Sequence, residues 1–141
     1  MMSSQTASLW LARLTILAVA VLFTRIGLRF ITDPLQAAAN SGFSLDSAIG
    51  YTNARAGMGG FPLSFAAILW FSLLSSRRLR QALALIATVA GAILTIRLYS
   101  VVQDGTLSQS VHILIPEVAI LGISLAVLWM DGRRREAQQS T

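Results

Sequence analysis

The sequence predicts an all-α fold: a four-helix transmembrane bundle running up-down-up-down, with both termini cytoplasmic. Three observations lead there. The chain has 141 residues, of which 55% are hydrophobic and 12% charged, about half the charged share of a soluble domain. It holds four apolar stretches of about 20 residues, the length that crosses a hydrocarbon core. All 11 Lys/Arg positions are arginine, and two clusters, Arg77, Arg78 and Arg80 and then Arg133, Arg134 and Arg135, each adjoin the end of an apolar run. Positive charge placed this way marks cytoplasmic loops.

Each element follows from local signals. The first helix is expected over 8–31. Ala18-Val19-Ala20 resembles a signal-peptide cleavage site, but only Leu14 to Leu17 would precede it as an unbroken apolar core. That is shorter than the roughly 7–15 residues such a core needs, so the segment reads as a retained helix. Asp33-Pro34 ends it, because proline pushes its predecessor out of the α region. A short helix is expected over 34–40, stopped by Gly42. Ser44 is the expected N-cap of a second helix over 45–75. Pro62 offers no N–H to the carbonyl of Met58, which predicts a kink near 57–62. The third helix is expected over 81–102 and the fourth over 110–130, with Asp104-Gly105 marking the turn between them. Gly132 ends the fourth helix, leaving 131–141 as a loose cytoplasmic tail. The whole chain reads as a single integral membrane domain. No segment alternates as a membrane strand would.

Topology follows from the arginines. Four crossings put the 77–80 loop, the N-terminus and the C-terminus on the cytoplasmic side of a cell inner membrane. Trp10, Trp70 and Trp129 then fall at the cytoplasmic ends of their helices, where an aromatic belt belongs. The net charge of +5 is accounted for by this topology signal, with no nucleic-acid partner. An arginine-rich tail also suits anionic lipid.

Function is less legible. Without cysteine and with one histidine, a thiolate nucleophile, an iron–sulfur cluster and a multi-histidine metal site are excluded. No catalytic triad or phosphate loop is present, so no cofactor is implied and an enzyme is disfavoured. His112 stands five residues from Glu117, about 140° away around a helix, and reads as a surface or capping residue.

The informative residues are charges within the spans, which usually face a bundle interior or a wet cavity. At about 1.5 Å per residue, Arg25 lies about 25 Å from Ser8, Arg97 about 24 Å from Gln81, and Glu117 about 21 Å from Asp131. Arg55 lies about 30 Å from Ser75, so four helices each bring a charge to the outer half of the bundle. Glu117 is expected to pair with Arg97, Arg25 or both. The remaining arginine charge suits an anion such as a lipid phosphate or carboxylate. The candidate ligand-binding set is Arg25, Arg29, Asn53, Arg55, Arg97 and Glu117. The competing reading is a structural Arg–Glu bridge with outer arginines reaching to headgroups. Small residues Ala56, Gly60, Ser64 and Ala67 form a stripe on the second helix; Ala84, Thr88 and Ala92, beside Ala87, Gly91 and Thr95, answer it on the third. Gly122 and Ala126 offer a patch on the fourth. All three are expected to be packing surfaces.

Several of these residues recur together in a known family: Arg25, Gly27 and Arg29 late in helix one, the run Asn53 to Gly60 (Asn-Ala-Arg-Ala-Gly-Met-Gly-Gly), Arg97, Asp104-Gly105 and Glu117. The chain thereby resembles the uncharacterised bacterial family called domain of unknown function 4345, small integral membrane proteins with four predicted helices. The resemblance covers roughly residues 10–130. It departs where the family pattern would place an acidic residue near Asn53 and a glycine before the third-helix arginine; Ala54 and Ile96 stand there. It implies fold and location and no activity. The expected function is therefore an integral membrane protein binding an anionic amphiphile or small molecule in an outward-facing polar pocket. Alternatives are an accessory subunit of a larger membrane complex, or a membrane enzyme acting on a lipid or quinone with Glu117 as acid or base. The expected partners are the lipid bilayer, an anionic lipid or small molecule, and a second copy of the chain (a homo-oligomer) or a membrane complex.

Overall fold

Four helical stretches, Ser8–Thr32, Ala48–Leu73, Leu79–Asp104 and Ser110–Arg133, are long and apolar enough to cross a membrane. At 24 to 26 residues each, they exceed the roughly 20 that a 30 Å hydrocarbon layer requires. The computed structural model describes residues 4–139, and among them no strand forms. In chain order the helices are α1 (Ser4–Thr32), α2 (Pro34–Asn40), α3 (Ala48–Asn53), α4 (Phe61–Leu73), α5 (Leu79–Asp104) and α6 (Leu107–Gln139), with a π-helical turn, Ala54–Gly60, joining α3 to α4.

Caps explain the boundaries. The carboxylate of Asp33 accepts the Gln36 N–H at 3.1 Å, and Pro34 occupies the first turn of α2, where its missing N–H costs nothing. Helix α3 starts at the Ser47 cap, whose hydroxyl accepts the Gly50 N–H at 3.1 Å. The expected cap, Ser44, instead donates to Asp46 Oδ2 at 3.1 Å. The interruption expected near 57–62 takes the form of the π turn, ending just before Pro62. A wider turn redistributes the carbonyls that proline leaves without a donor. Gly105 closes α5 in the left-handed conformation, φ 65°, which glycine adopts without the penalty a Cβ brings. Helix α6 differs most from expectation: it passes through Gly132 and continues to Gln139. A single glycine costs a helix only about 1 kcal/mol, and the arginines, glutamate, alanine and glutamines beyond it are good helix formers.

The chain divides into two compact units, one comprising residues up to Ile16 with those from Ser75 onward, the other Leu17–Leu74. In the Leu17–Leu74 unit, α1 and the π turn approach through glycines. A Cβ added to Gly27 would lie 2.8 Å from the Gly59 carbonyl oxygen and 2.6 Å from Leu63 Cγ. Only a residue without a side chain allows two backbones this close. Phe23 meets Phe65 edge to face at 4.7 Å between centroids, and the Trp70 indole donates to Thr24 Oγ1 at 3.2 Å. Farther along, Phe30, Ala37, Ala38 and Ala54 form a small buried cluster with Leu45 against it.

In the other unit, α5 and α6 form the main packed pair. The buried positions of α5 are Leu79, Ala82, Leu83, Ile86, Ala87 and Val101, and on α6 Ser124 and Val127 are buried. The expected small-residue stripes are mostly off these faces. Ala56, Ser64 and Ala67 are exposed, as are Ala84, Thr88, Ala92, Gly122 and Ala126. The packed face of α4 is instead Pro62, Phe65, Ala66, Leu69 and Ser72.

Candidate functional site

Arg97 and Glu117 stand on the partly buried faces of α5 and α6. Arg97 Nε donates to both carboxylate oxygens, at 2.9 and 2.8 Å, and Nη2 lies 2.8 Å from Oε1. The side chains are 32% and 18% exposed. This is a side-on, two-toothed pairing, the strong form of a guanidinium–carboxylate contact. It fulfils the expected pairing of Glu117 with Arg97 and holds α5 and α6 in register. At the far end of the same helices, Arg80 Nε reaches Asp131 Oδ2 at 3.8 Å, with the side chains 50% and 38% exposed, a long contact near solvent that is worth little in stability. Between these pairs the fully buried Ser124 Oγ has no hydrogen-bond partner among the described residues. At the same end, Arg133 lies over Trp129 at 3.9 Å, and Arg13 over Trp10 at 5.8 Å.

The remaining four candidates belong to the Leu17–Leu74 unit. Arg55 Nε donates to the Ile31 carbonyl at 3.3 Å. That carbonyl is in the last turn of α1, where acceptors lack intrahelical donors and a cation opposes the negative end of the helix dipole. Arg55 is thus a helix cap supplied from elsewhere in the chain. Asn53 is exposed at the end of α3 and lines neither of the two recesses described next.

Arg25 and Arg29 stand exposed one turn apart on α1. Both line a shallow recess of about 290 Å³ whose other walls are Ala18, Val21, Leu22 and Ile26. Arg29 also borders a second recess, of about 280 Å³, lined by Thr32, Asp33, Gln36, Ala37 and Asn40. Sequence patterns alone did not single out this polar group. Its signal is the spacing by four that runs Arg25, Arg29, Asp33 and again Gln36, Asn40 across the α1–α2 corner. Among the described residues, no three His, Cys, Asp or Glu side chains are placed to hold one metal ion.

The family profile described as Domain of unknown function (DUF4345) matches residues 8–130. The chain belongs to the DUF4345 family. The matched segment contains all six candidate residues, including the Arg97–Glu117 pair. No curated protein and no solved structure matches the chain. With four helices able to cross a membrane, this DUF4345 protein is a multi-pass integral membrane protein.

Proposed function

We propose that this DUF4345 protein lies in the cell inner membrane with both termini cytoplasmic, and holds an amphiphile by its anionic phosphate or carboxylate group against Arg25 and Arg29 in the outer half of the bilayer. The recess on α1 carries this reading. Four apolar side chains form its walls and two guanidinium groups stand one turn apart at it, as a ligand with an apolar tail and a phosphate or carboxylate head requires. Arg97 and Arg55 have protein acceptors, Glu117 and the Ile31 carbonyl, and act in the scaffold. By helical rise, Arg25 is about 25 Å and Arg29 about 31 Å from Ser8, which puts Arg25 just inside and Arg29 at the outer edge of a hydrocarbon layer about 30 Å thick.

Lipid retention during purification tests this. With phosphatidylglycerol added in mild detergent, native mass spectrometry should show bound lipid on the full chain. The double change Arg25→Gln, Arg29→Gln removes about 1 kcal/mol per arginine, and so should weaken retention about thirtyfold. Equal retention by the two proteins refutes the reading. A reporter fused after Thr141 should be active in the cytoplasm, and a periplasmic signal refutes the orientation.

A further inference from the structure

We propose that the amphiphile's headgroup is a phosphate ester ending in a primary ammonium, as in phosphatidylethanolamine; this rests on the reading of Arg25 and Arg29 given above. Arg29 lies on the border of two recesses, one walled mainly by apolar side chains and one mainly by polar ones. A phosphate held by Arg25 and Arg29 leaves its tails beside Val21, Leu22 and Ile26. Whatever the phosphate carries beyond it then enters the polar recess.

That recess offers a carboxylate and several further hydrogen-bond acceptors. Asp33 supplies a carboxylate, of which one oxygen takes the Gln36 N–H at 3.1 Å. A carboxylate has about four acceptor sites, so capping α2 leaves most of them available. Thr32, Gln36 and Asn40 add a hydroxyl and two amides whose oxygens can turn toward the same guest, while Arg29, on the phosphate side, also lines the recess. A primary ammonium has three N–H donors and a positive charge, which the Asp33 carboxylate and the neighbouring acceptor oxygens complement. A trimethylammonium head has no N–H to offer. A glycerol head has hydroxyls but no charge for Asp33. The step along α1 from Arg29 to Asp33 is about 6 Å, which a two-carbon arm with its flanking phosphate and nitrogen can span. Asp33 is thereby a specificity-determining residue and the helix cap at once.

The experiment offers the full-length protein matched phosphatidylethanolamine, phosphatidylglycerol and phosphatidylcholine of one acyl composition and reads bound lipid by native mass spectrometry. The wild type should favour phosphatidylethanolamine over the other two. Asp33→Asn retains a capping side chain of equal quality, and should lower the phosphatidylethanolamine to phosphatidylglycerol ratio about three- to fivefold, the range of a partly exposed ion pair. Asp33→Ser, also a cap, reads the same loss if the asparagine variant is not recovered. Soluble phosphoethanolamine should fail to displace the lipid because it has no tail for the apolar walls, and displacement overturns the lipid assignment. An unchanged ratio in the Asp33 variants, with retention still dependent on Arg25 and Arg29, overturns the headgroup assignment alone. Retention indifferent to both arginines overturns the amphiphile reading and this inference with it.

Discussion

Replacing Glu117 by glutamine keeps the shape of the side chain and removes the charge opposite Arg97. In the native protein the guanidinium reaches two carboxylate oxygens at 2.8 to 2.9 Å. An exposed ion pair contributes about 0–1 kcal/mol, and stranding one partner of a buried pair costs about 3–5 kcal/mol. At 32% and 18% exposure this pair lies between those limits, and Glu117→Gln should destabilise by about 2 kcal/mol. Arg97→Gln should destabilise as well, because it leaves the partly buried Glu117 carboxylate without its cationic partner. The double variant removes both charges and leaves two amides able to bond to each other. Its cost should fall short of the summed singles by about 1.5 kcal/mol, more than the roughly 0.6 kcal/mol typical of neutral interhelical bonds in membranes. Reversible unfolding in mixed detergent micelles, followed by helical circular dichroism, measures all four proteins. Additivity within about 0.5 kcal/mol refutes the claim that the two charges stabilise each other.

Two further outcomes test the packing. Gly27→Ala sets a methyl 2.8 Å from the Gly59 carbonyl oxygen and should destabilise by about 1–3 kcal/mol; Gly122→Ala, with nothing within 4 Å of the new carbon, should be neutral or stabilising by up to about 1 kcal/mol. The same unfolding assay ranks them, and equal effects would exclude the close approach of α1 to the π turn. Gly105→Ala forces a side chain into φ 65° and should cost about 1 kcal/mol, read as earlier unfolding; an unchanged midpoint would show that the corner tolerates a Cβ.

The positions of the elements were legible in the sequence, and their rotations were not. Hydropathy located all four spans, and Asp33-Pro34 placed α2 over its observed residues, because length and caps are local properties. Which side of each span packs is not local. In lipid the outer and inner faces are both apolar, so the periodic contrast that orients a soluble helix is weak. Counting small residues pointed to Ala56, Ser64 and Ala67, all of which are exposed. Polar residues were better guides. Glu117 and Ser124 stand seven residues apart, on one face of α6, and both are sheltered there. The pairing of Arg97 with Glu117 was legible because an ionised group within a span needs a partner. The π turn and the role of Arg55 as a cap for α1 were hidden, since both depend on segments brought together by folding. Asp33, Gln36 and Asn40 read in the sequence only as loop and cap residues, with no sign that Arg29 borders the same hollow.

The corner at Gly105 and Thr106 bears on how the protein is made. So short a link lets α5 and α6 enter the bilayer as one helical hairpin on leaving the ribosome. Arg97 can then meet Glu117 during insertion, so that neither ion has to pass through the hydrocarbon by itself. A lengthened corner would separate their arrivals, and biogenesis would be harmed before the finished structure was.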